Sequence, residues 1–135
     1  MSFTKILGFF LYPLVFYSFV EAAILTHGPV IGGVNSSSAK VFVRTDIVAS
    51  VEIEYGTDPN LNVSSLTAPF NTASTSDFTL RVPLSELLPE STYYLNVRVN
   101  GVSQFLAPFP SFKTFPLSSS ARDFKVVVLT DFKNQ

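Results

Sequence analysis

Residues 87–101 read LLPESTYYLNVRVNG and contain a strand that is marked at both ends. Apolar residues occupy every second position of this strand, at Tyr93, Leu95, Val97 and Val99. This period predicts a strand with one face in the core, because successive side chains point to opposite faces of a sheet. Asn100 and Gly101 then supply the dipeptide that most readily adopts the positive φ angles of a hairpin turn. We expect the chain to return as an antiparallel strand through residues 111–115.

The same period appears in three earlier segments. Their inward positions are Ala39, Val41 and Val43, then Val51, Ile53 and Tyr55, then Phe78, Leu80 and Val82. Turn-forming residues separate the segments at positions 56–59, Pro83 and Pro89. Short strands at this spacing leave no room for the helical crossovers of a parallel sheet. The sequence therefore predicts an all-β antiparallel sandwich with almost no helix.

The entry to the strand at Tyr93 narrows the architecture further. Pro89 lies in a turn shortly before Tyr93, whose hydroxyl can form a hydrogen bond back to that turn. This arrangement resembles the tyrosine corner of fibronectin type III domains. An ordinary loop leading into a half-buried tyrosine is the alternative interpretation. Because the chain contains no Trp, a divergent fibronectin-like sandwich fits better than a typical adhesive one.

Composition limits the class of protein. The chain has 135 residues, of which 47% are hydrophobic and 14% are charged, enough for one globular domain with a core. Nine Lys and Arg face ten Asp and Glu, with no run of like charge, so we expect no nucleic-acid partner. The absence of Cys excludes disulfides, thiolate metal ligands and thiol nucleophiles.

The N-terminus has the features of a signal peptide over residues 1–22, expected to be helical. One cation, Lys5, precedes an uncharged, mostly apolar stretch at residues 6–20, and small residues before Ala23 suit signal peptidase. An uncleaved anchor is the alternative, but this stretch is shorter than the roughly 20 residues of a spanning helix. We expect a secreted protein with no stable membrane span after cleavage. Two sequons, at Asn35 and Asn62, agree with a glycosylating secretory pathway.

Four sequence segments, taken together and in this order, resemble those of a known protein family. Residues 26–34, 38–45, 51–59 and 112–116 read THGPVIGGV, SAKVFVRT, VEIEYGTDP and FKTFP. Together they resemble the N-terminal domain of PhoD-like alkaline phosphatases, a relative of the domain that precedes purple acid phosphatase catalytic units. The resemblance implies a fibronectin type III-like domain at residues 23–116. It also implies a catalytic domain beyond, which is expected to pack on the sandwich.

A different pattern follows residue 116. A small, polar linker at 117–122 precedes residues 123–135, where the unbroken apolar run 126–129 predicts a central strand of an α/β domain. Chemistry in such domains collects beyond the carboxyl ends of the strands. The resemblance implies that Asp131 is a first metal ligand there, and that this segment is the first strand of a truncated metallophosphatase domain. Lys133 stands where many relatives carry a histidine ligand. A surface Asp after a strand is the equal alternative.

Other candidate groups have simpler interpretations. His27 is the single histidine and is expected to be a solvated turn residue rather than a base or ligand. Glu52 and Glu54 share one face of a strand and are expected to be solvated without a cation. Residues 105–110 form an apolar, proline-stiffened loop, expected to be buried rather than a contact surface.

Two classes of function remain. The first is a non-catalytic accessory module of a secreted PhoD-like metal-dependent phosphatase, in which the missing C-terminal domain hydrolyses phosphoesters. We expect no catalytic residue and no cofactor in this chain, and a divalent or ferric metal pair only in the full-length enzyme. The second is a free-standing secreted fibronectin-like binding or adhesion protein. Asp131 and the linker favour the first.

Overall fold

A computed structural model describes residues 22–119 of the chain. Residues 1–21 of the predicted signal peptide (1–22), the predicted strand segment 123–135 and Asp131 lie outside these described residues. The described part contains strands and one short 3-10 turn, Ser74–Ser76. In chain order the strands are β1 (Leu25–Gly32), β2 (Ala39–Thr45), β3 (Ser50–Gly56), β4 (Ser65–Leu66), β5 (Phe70–Asn71), β6 (Thr79–Leu84), β7 (Thr92–Val99), β8 (Val102–Ser103) and β9 (Ser111–Lys113).

The strands form two sheets, and every strand pairing is antiparallel. The three-stranded sheet has the order β1-β2-β6. The larger sheet has the order β4-β3-β7-β8, with β5 also paired to β3 and β9 to β7. The prediction of an all-β, two-sheet antiparallel sandwich is confirmed for the described residues.

The core lies between the inner faces of the two sheets. Alternation places Val41 and Val43 of β2 opposite residues such as Ile53 of β3 and Leu95 of β7, all without solvent exposure. These side chains are mutually buried because each strand presents its apolar positions to one side. The core contains Ala39, Val41, Val43, Ala49, Val51, Ile53, Val82, Leu84, Leu87, Tyr93, Leu95, Val97 and Val99.

The hairpin turn after β7 forms where the sequence predicts it. Asn100 and Gly101 have φ angles of 49° and 78°, and β8 returns beside the end of β7. The Asn100 side-chain oxygen also accepts a hydrogen bond from the Ser50 backbone N–H at 2.9 Å. The chain then leaves the sheet and pairs again as β9 with the start of β7, so the expected returning strand is interrupted.

Two details of β6 differ from the sequence interpretation. Phe78 precedes the strand with a φ of 54°, so it is a turn residue rather than an inward strand position. Pro83, expected to be a spacer, lies inside β6 and pairs in register with Lys40. Proline is tolerated here because β6 is an edge strand of its sheet. No further strand of that sheet lies on its outer side, so a missing backbone N–H on that side costs no inter-strand hydrogen bond.

The opposite edge of the three-stranded sheet is irregular. The register between β1 and β2 shifts on both sides of His27, near Gly28 and Pro29. Gly28 has a φ of 101°, and a Cβ at this position would lie 2.5 Å from the Phe42 carbonyl oxygen. Close approach of the two backbones therefore requires glycine. Within residues 22–119, no helix has the length and apolar character needed to cross a membrane.

Candidate functional site

Tyr93 ties the turn before β7 to the sandwich. Its hydroxyl accepts a hydrogen bond from the Leu88 backbone N–H at 2.9 Å, and its ring stacks on Phe112 with centroids 5.8 Å apart. The buried hydroxyl of Thr114 donates to the Leu88 carbonyl at 2.6 Å and accepts from the Ser91 N–H at 2.9 Å. Pro89 lies inside this turn, and its carbonyl accepts a hydrogen bond from the Ser91 hydroxyl. The corner therefore fixes residues 88–91 against the strand that ends the described domain.

A cleft of about 340 Å³ opens beside this corner. Aromatic and hydroxyl groups line it, including Tyr55, Tyr93, Ser64 and Ser85, with the Glu86 carboxylate as its charged group. No cluster of three or more His, Cys, Asp or Glu that could hold a metal exists in the described part of the chain. The cleft is thus equipped to bind through hydrogen bonds and ring contacts.

The two sequons differ in their surroundings. The Asn35 side chain closes a turn: its oxygen accepts from the N–H groups of Ser37 and Ser38 at 2.8 and 2.7 Å, and its amide donates to the Ser38 hydroxyl. Asn62 lies in an exposed loop that is organised by Asp58. Hydrogen bonds from this loop, chiefly from the Asn60 backbone N–H, lower the pKa of Asp58. Both asparagines are exposed, and each side chain makes a hydrogen bond: the Asn35 amide donates to the Ser38 hydroxyl, and the Asn62 side chain bonds to the Asp58 carboxylate.

His27 is exposed, and its Nδ1 lies 3.2 Å from the Thr26 hydroxyl oxygen. No metal-binding group of side chains forms around it within residues 22–119. The structure thus shows His27 as a surface residue of β1. Asp131, the candidate metal ligand, is beyond the described residues.

The expectation that Glu54 is solvated without a cation is wrong. Its carboxylate lies 3.1 Å from the Arg98 guanidinium and accepts a hydrogen bond from the Ser64 hydroxyl at 2.9 Å. Arg98 is near because β3 and β7 are neighbours. The sequence could not show this pair, since the two residues are 44 positions apart.

The apolar loop at residues 105–110 is partly buried and partly exposed. Phe105 packs against the core, and its N–H donates to the side-chain oxygen of the buried Asn96 at 3.1 Å. Leu106, next to it, is 88% exposed. The loop therefore covers part of the outer face of the larger sheet and still presents one large apolar side chain to solvent.

Residues 22–118 match a family described as a domain of unknown function, DUF7800. The chain belongs to this family. No curated protein matches the chain significantly. Sequence similarity thus assigns residues 22–118 to the DUF7800 family. The similarity of this domain to other proteins of the same fold comes from solved structures.

Three solved structures resemble the DUF7800 domain. The structure of PhoD matches with a TM-score of 0.58 at 16% identity, covering 67% of this chain and 19% of PhoD. The sensor domain of the anti-sigma factor RsgI4 in Pseudobacteroides cellulosolvens matches with a TM-score of 0.53 at 18% identity, covering 73% of this chain and 99% of that chain. The fn3 domain of human contactin 1 matches with a TM-score of 0.50 at 16% identity, covering 82% and 94%.

These similarities establish the fold of the DUF7800 domain. It is a fibronectin-like β-sandwich that resembles a part of PhoD and a bacterial sensor domain in structure. The matched region spans only 19% of the length of PhoD. Because the sequence identities are below 20%, the functional roles of residues in those proteins cannot be assigned to residues of this chain.

Proposed function

We propose that the sandwich is a non-catalytic accessory module of a secreted, PhoD-like metal-dependent phosphatase. In this proposal a catalytic domain that follows the sandwich hydrolyses phosphoesters. The sandwich packs on that domain and contributes no catalytic residue. Secretion follows removal of residues 1–22.

The order of segments carries this proposal. A sandwich that resembles part of PhoD in fold is followed in the sequence by a polar linker and by an apolar run that leads to Asp131. A carboxylate after a central strand suits hard metal ions, which prefer oxygen ligands. The match to only 19% of PhoD is consistent with one module of a larger protein.

The metal pair belongs to the catalytic domain in this proposal. Residues 22–119 contain no side-chain cluster that could hold a divalent or ferric ion, so the sandwich does not fit a metal centre. Asp131 is the proposed first ligand of the pair. The role of the sandwich in this proposal is structural: it provides a surface against which the catalytic domain packs.

The end of the sandwich from which the linker leaves supports such packing. Leu88, Phe115 and Leu117 are all more than half exposed there. The Glu90 N–H donates to the Phe115 carbonyl, and Thr114 bonds to Leu88, so these residues lie at the same end. Exposed apolar side chains grouped near a linker suit an interface between domains.

Transcript sequencing is the direct test of the proposal. We expect the reading frame that contains residues 1–135 to continue into a metallophosphatase domain that supplies the remaining carboxylate, Asn and His ligands. A mature transcript with a stop codon after Gln135 would contradict the proposal.

A phosphatase assay of the 135-residue chain tests its non-catalytic role. We expect no turnover of a chromogenic phosphate ester with added divalent or ferric ions, because one Asp cannot hold a metal pair. The Asp131→Ala variant is the control. Turnover that this substitution abolishes would show that the chain itself is catalytic.

Secretion and glycosylation are tested on exported protein. N-terminal sequencing is expected to start at Ala23, and an intact Met1 would contradict cleavage. We propose glycans at Asn35 and Asn62. Endoglycosidase treatment is expected to lower the apparent mass, with Asn35→Gln and Asn62→Gln variants showing the share of each site.

A second candidate function is a free-standing binding module. The match to the RsgI4 sensor domain favours it, since it covers 99% of that chain and so reproduces a complete solved domain. A transcript that ends with the sandwich, together with a specific extracellular ligand, would favour this candidate over the phosphatase module.

A further inference from the structure

Cations are concentrated on the three-stranded sheet. Its strands carry Lys40, Arg44 and Arg81 and contain no Asp or Glu. The described residues as a whole contain five Lys and Arg against seven Asp and Glu. Three of the five cations therefore lie on one sheet of a domain that has an acidic excess.

Among the described residues, Arg44 alone of these three cations has a partner of opposite charge. Arg44 lies 2.9 Å from the Asp77 carboxylate, and their hydrogen bond raises the pKa of Arg44 and lowers that of Asp77. Within residues 22–119, Lys40 and Arg81 form no ion pair, and both side chains are exposed. Two positive charges of this face are thus uncompensated by the domain itself.

A notch with an apolar wall lies between Lys40 and Arg81. Strand register places Val30 opposite Phe42, and Phe42 opposite Arg81. The neighbouring row places Gly32 opposite Lys40. These residues line a space of about 280 Å³.

Two features keep this notch open. A Cβ added at Gly32 would meet no atom within 4 Å. Val30, although apolar, is 59% exposed. The notch therefore combines an apolar surface with two free cations.

We propose that this notch, with the face around it, is a docking surface for an acidic polypeptide segment. Carboxylates of the partner pair with Lys40 and Arg81, and an aliphatic side chain between them packs on Val30 and Phe42. Charge complementarity of this kind guides association and orients the partner. Phosphate polymers and anionic headgroups match the charge but bring no aliphatic side chain for the apolar wall. This proposal stands independently of the phosphatase assignment.

Fluorescence anisotropy of the full chain with a labelled peptide of alternating Glu and Leu tests the proposal. We expect saturable binding that weakens as salt is added, and no binding of a matched Lys and Leu peptide. Unlabelled polyphosphate and anionic vesicles serve as competitors. Failure of the acidic peptide to bind, or stronger binding of polyphosphate or vesicles, would overturn the choice of partner.

Three variants locate the surface. Lys40→Glu and Arg81→Glu should each raise the Kd by roughly tenfold or more, because each reverses a charge at the contact. Gly32→Val should weaken binding by filling the notch. It should not disturb the fold, because a Cβ there meets nothing. The matched control is Lys113→Glu, the same charge change on β9 of the larger sheet.

The outcomes separate a local site from a general charge effect. Loss of binding in Lys40→Glu and Gly32→Val, with Lys113→Glu close to the unchanged protein, supports the notch. An equal loss in Lys113→Glu, or unchanged affinity in Gly32→Val, would overturn it. The thermal midpoint of each variant is measured alongside, so that only variants with a retained fold are compared.

Discussion

The two sheets share one core but differ on their outer faces. On the larger sheet, Glu54 pairs with Arg98, and the buried Asn96 side chain bonds to Ser103 and to the Phe105 N–H. On the three-stranded sheet, Lys40 and Arg81 have no ionic partner among the described residues. Among the described residues, the larger sheet leaves one residue of each sign without an ion pair, Glu52 and Lys113, whereas the three-stranded sheet leaves two cations and no anion. Two sheets that share one core can therefore differ in their roles at the surface.

The largest effect should test whether both sheets share the core equally. Leu84→Ala in β6 and Leu95→Ala in β7 each empty a fully buried site. We expect each substitution to lower the free energy of unfolding by about 2–5 kcal/mol. Urea denaturation measures this, with the exposed Leu66→Ala as control. An effect of Leu84→Ala as small as that of Leu66→Ala would show that β6 is peripheral.

A second pair of variants tests the irregular edge of the three-stranded sheet. Gly28→Ala places a Cβ 2.5 Å from the Phe42 carbonyl oxygen at a φ of 101°. We expect a loss of about 1–3 kcal/mol in the free energy of unfolding, since alanine tolerates neither the contact nor the φ. Gly32→Ala in the same strand is the control and should change stability by less than about 0.5 kcal/mol. Equal losses of stability in Gly28→Ala and Gly32→Ala would mean that the backbone of β1 shifts to accommodate the added methyl group.

The third prediction concerns the hydrogen bond between Tyr93 of the larger sheet and the turn that precedes β7. Tyr93→Phe removes the acceptor of the Leu88 N–H. We expect a loss of about 1 kcal/mol or more, the usual net contribution of such a hydrogen bond. Tyr94→Phe, on the outer side of the same strand, is the matched control. An unchanged denaturation midpoint in Tyr93→Phe would show that the hydrogen bond between Leu88 and Tyr93 does not stabilise the domain.

Smaller effects should distinguish the ion pairs of the two sheets. Arg98→Gln breaks a partly buried pair with Glu54 and should cost at most about 1 kcal/mol. Arg44→Gln breaks a pair with the exposed Asp77 and should cost less, because solvent screens it. Thermal unfolding at low and high salt measures both. A larger loss of stability in Arg44→Gln than in Arg98→Gln would mean that the ion pair of the three-stranded sheet is the stronger of the two.

The smallest effect is a dependence on pH. The hydrogen bond from Arg44 lowers the pKa of Asp77 from its ordinary value of 3.8. A lowered carboxyl pKa contributes stability that is present above the unfolded pKa and is lost as pH falls through the folded pKa. We therefore expect the thermal midpoints of the unchanged protein and Asp77→Asn to converge below pH 3.8. A constant difference down to acid pH would exclude this linkage.

Local patterns in the sequence predicted the core and the turns. Alternation along β2 identified Val41 and Val43 as inward residues, because the period depends only on neighbouring positions. The turn at Asn100 and Gly101 was equally predictable, since both residues tolerate positive φ.

Contacts between distant segments were not predictable in this way. Pro83 looked like a strand end because its edge position in the sheet depends on topology. The pairing of Glu54 with Arg98, and the notch between Lys40 and Arg81, depend on which strands become neighbours. A single sequence gives the faces of each strand, whereas the candidate surface arises from three strands placed side by side.

The prolines of the three-stranded sheet limit how other chains can join it. Edge strands expose backbone N–H and C=O groups, to which a second copy can add and begin aggregation. Pro83 interrupts the donors along β6, and Pro29 with the shifted register interrupts β1. Both edges therefore resist strand addition. Any partner of this sheet must recognise side chains, which vary with sequence, rather than the backbone, which is the same in every protein.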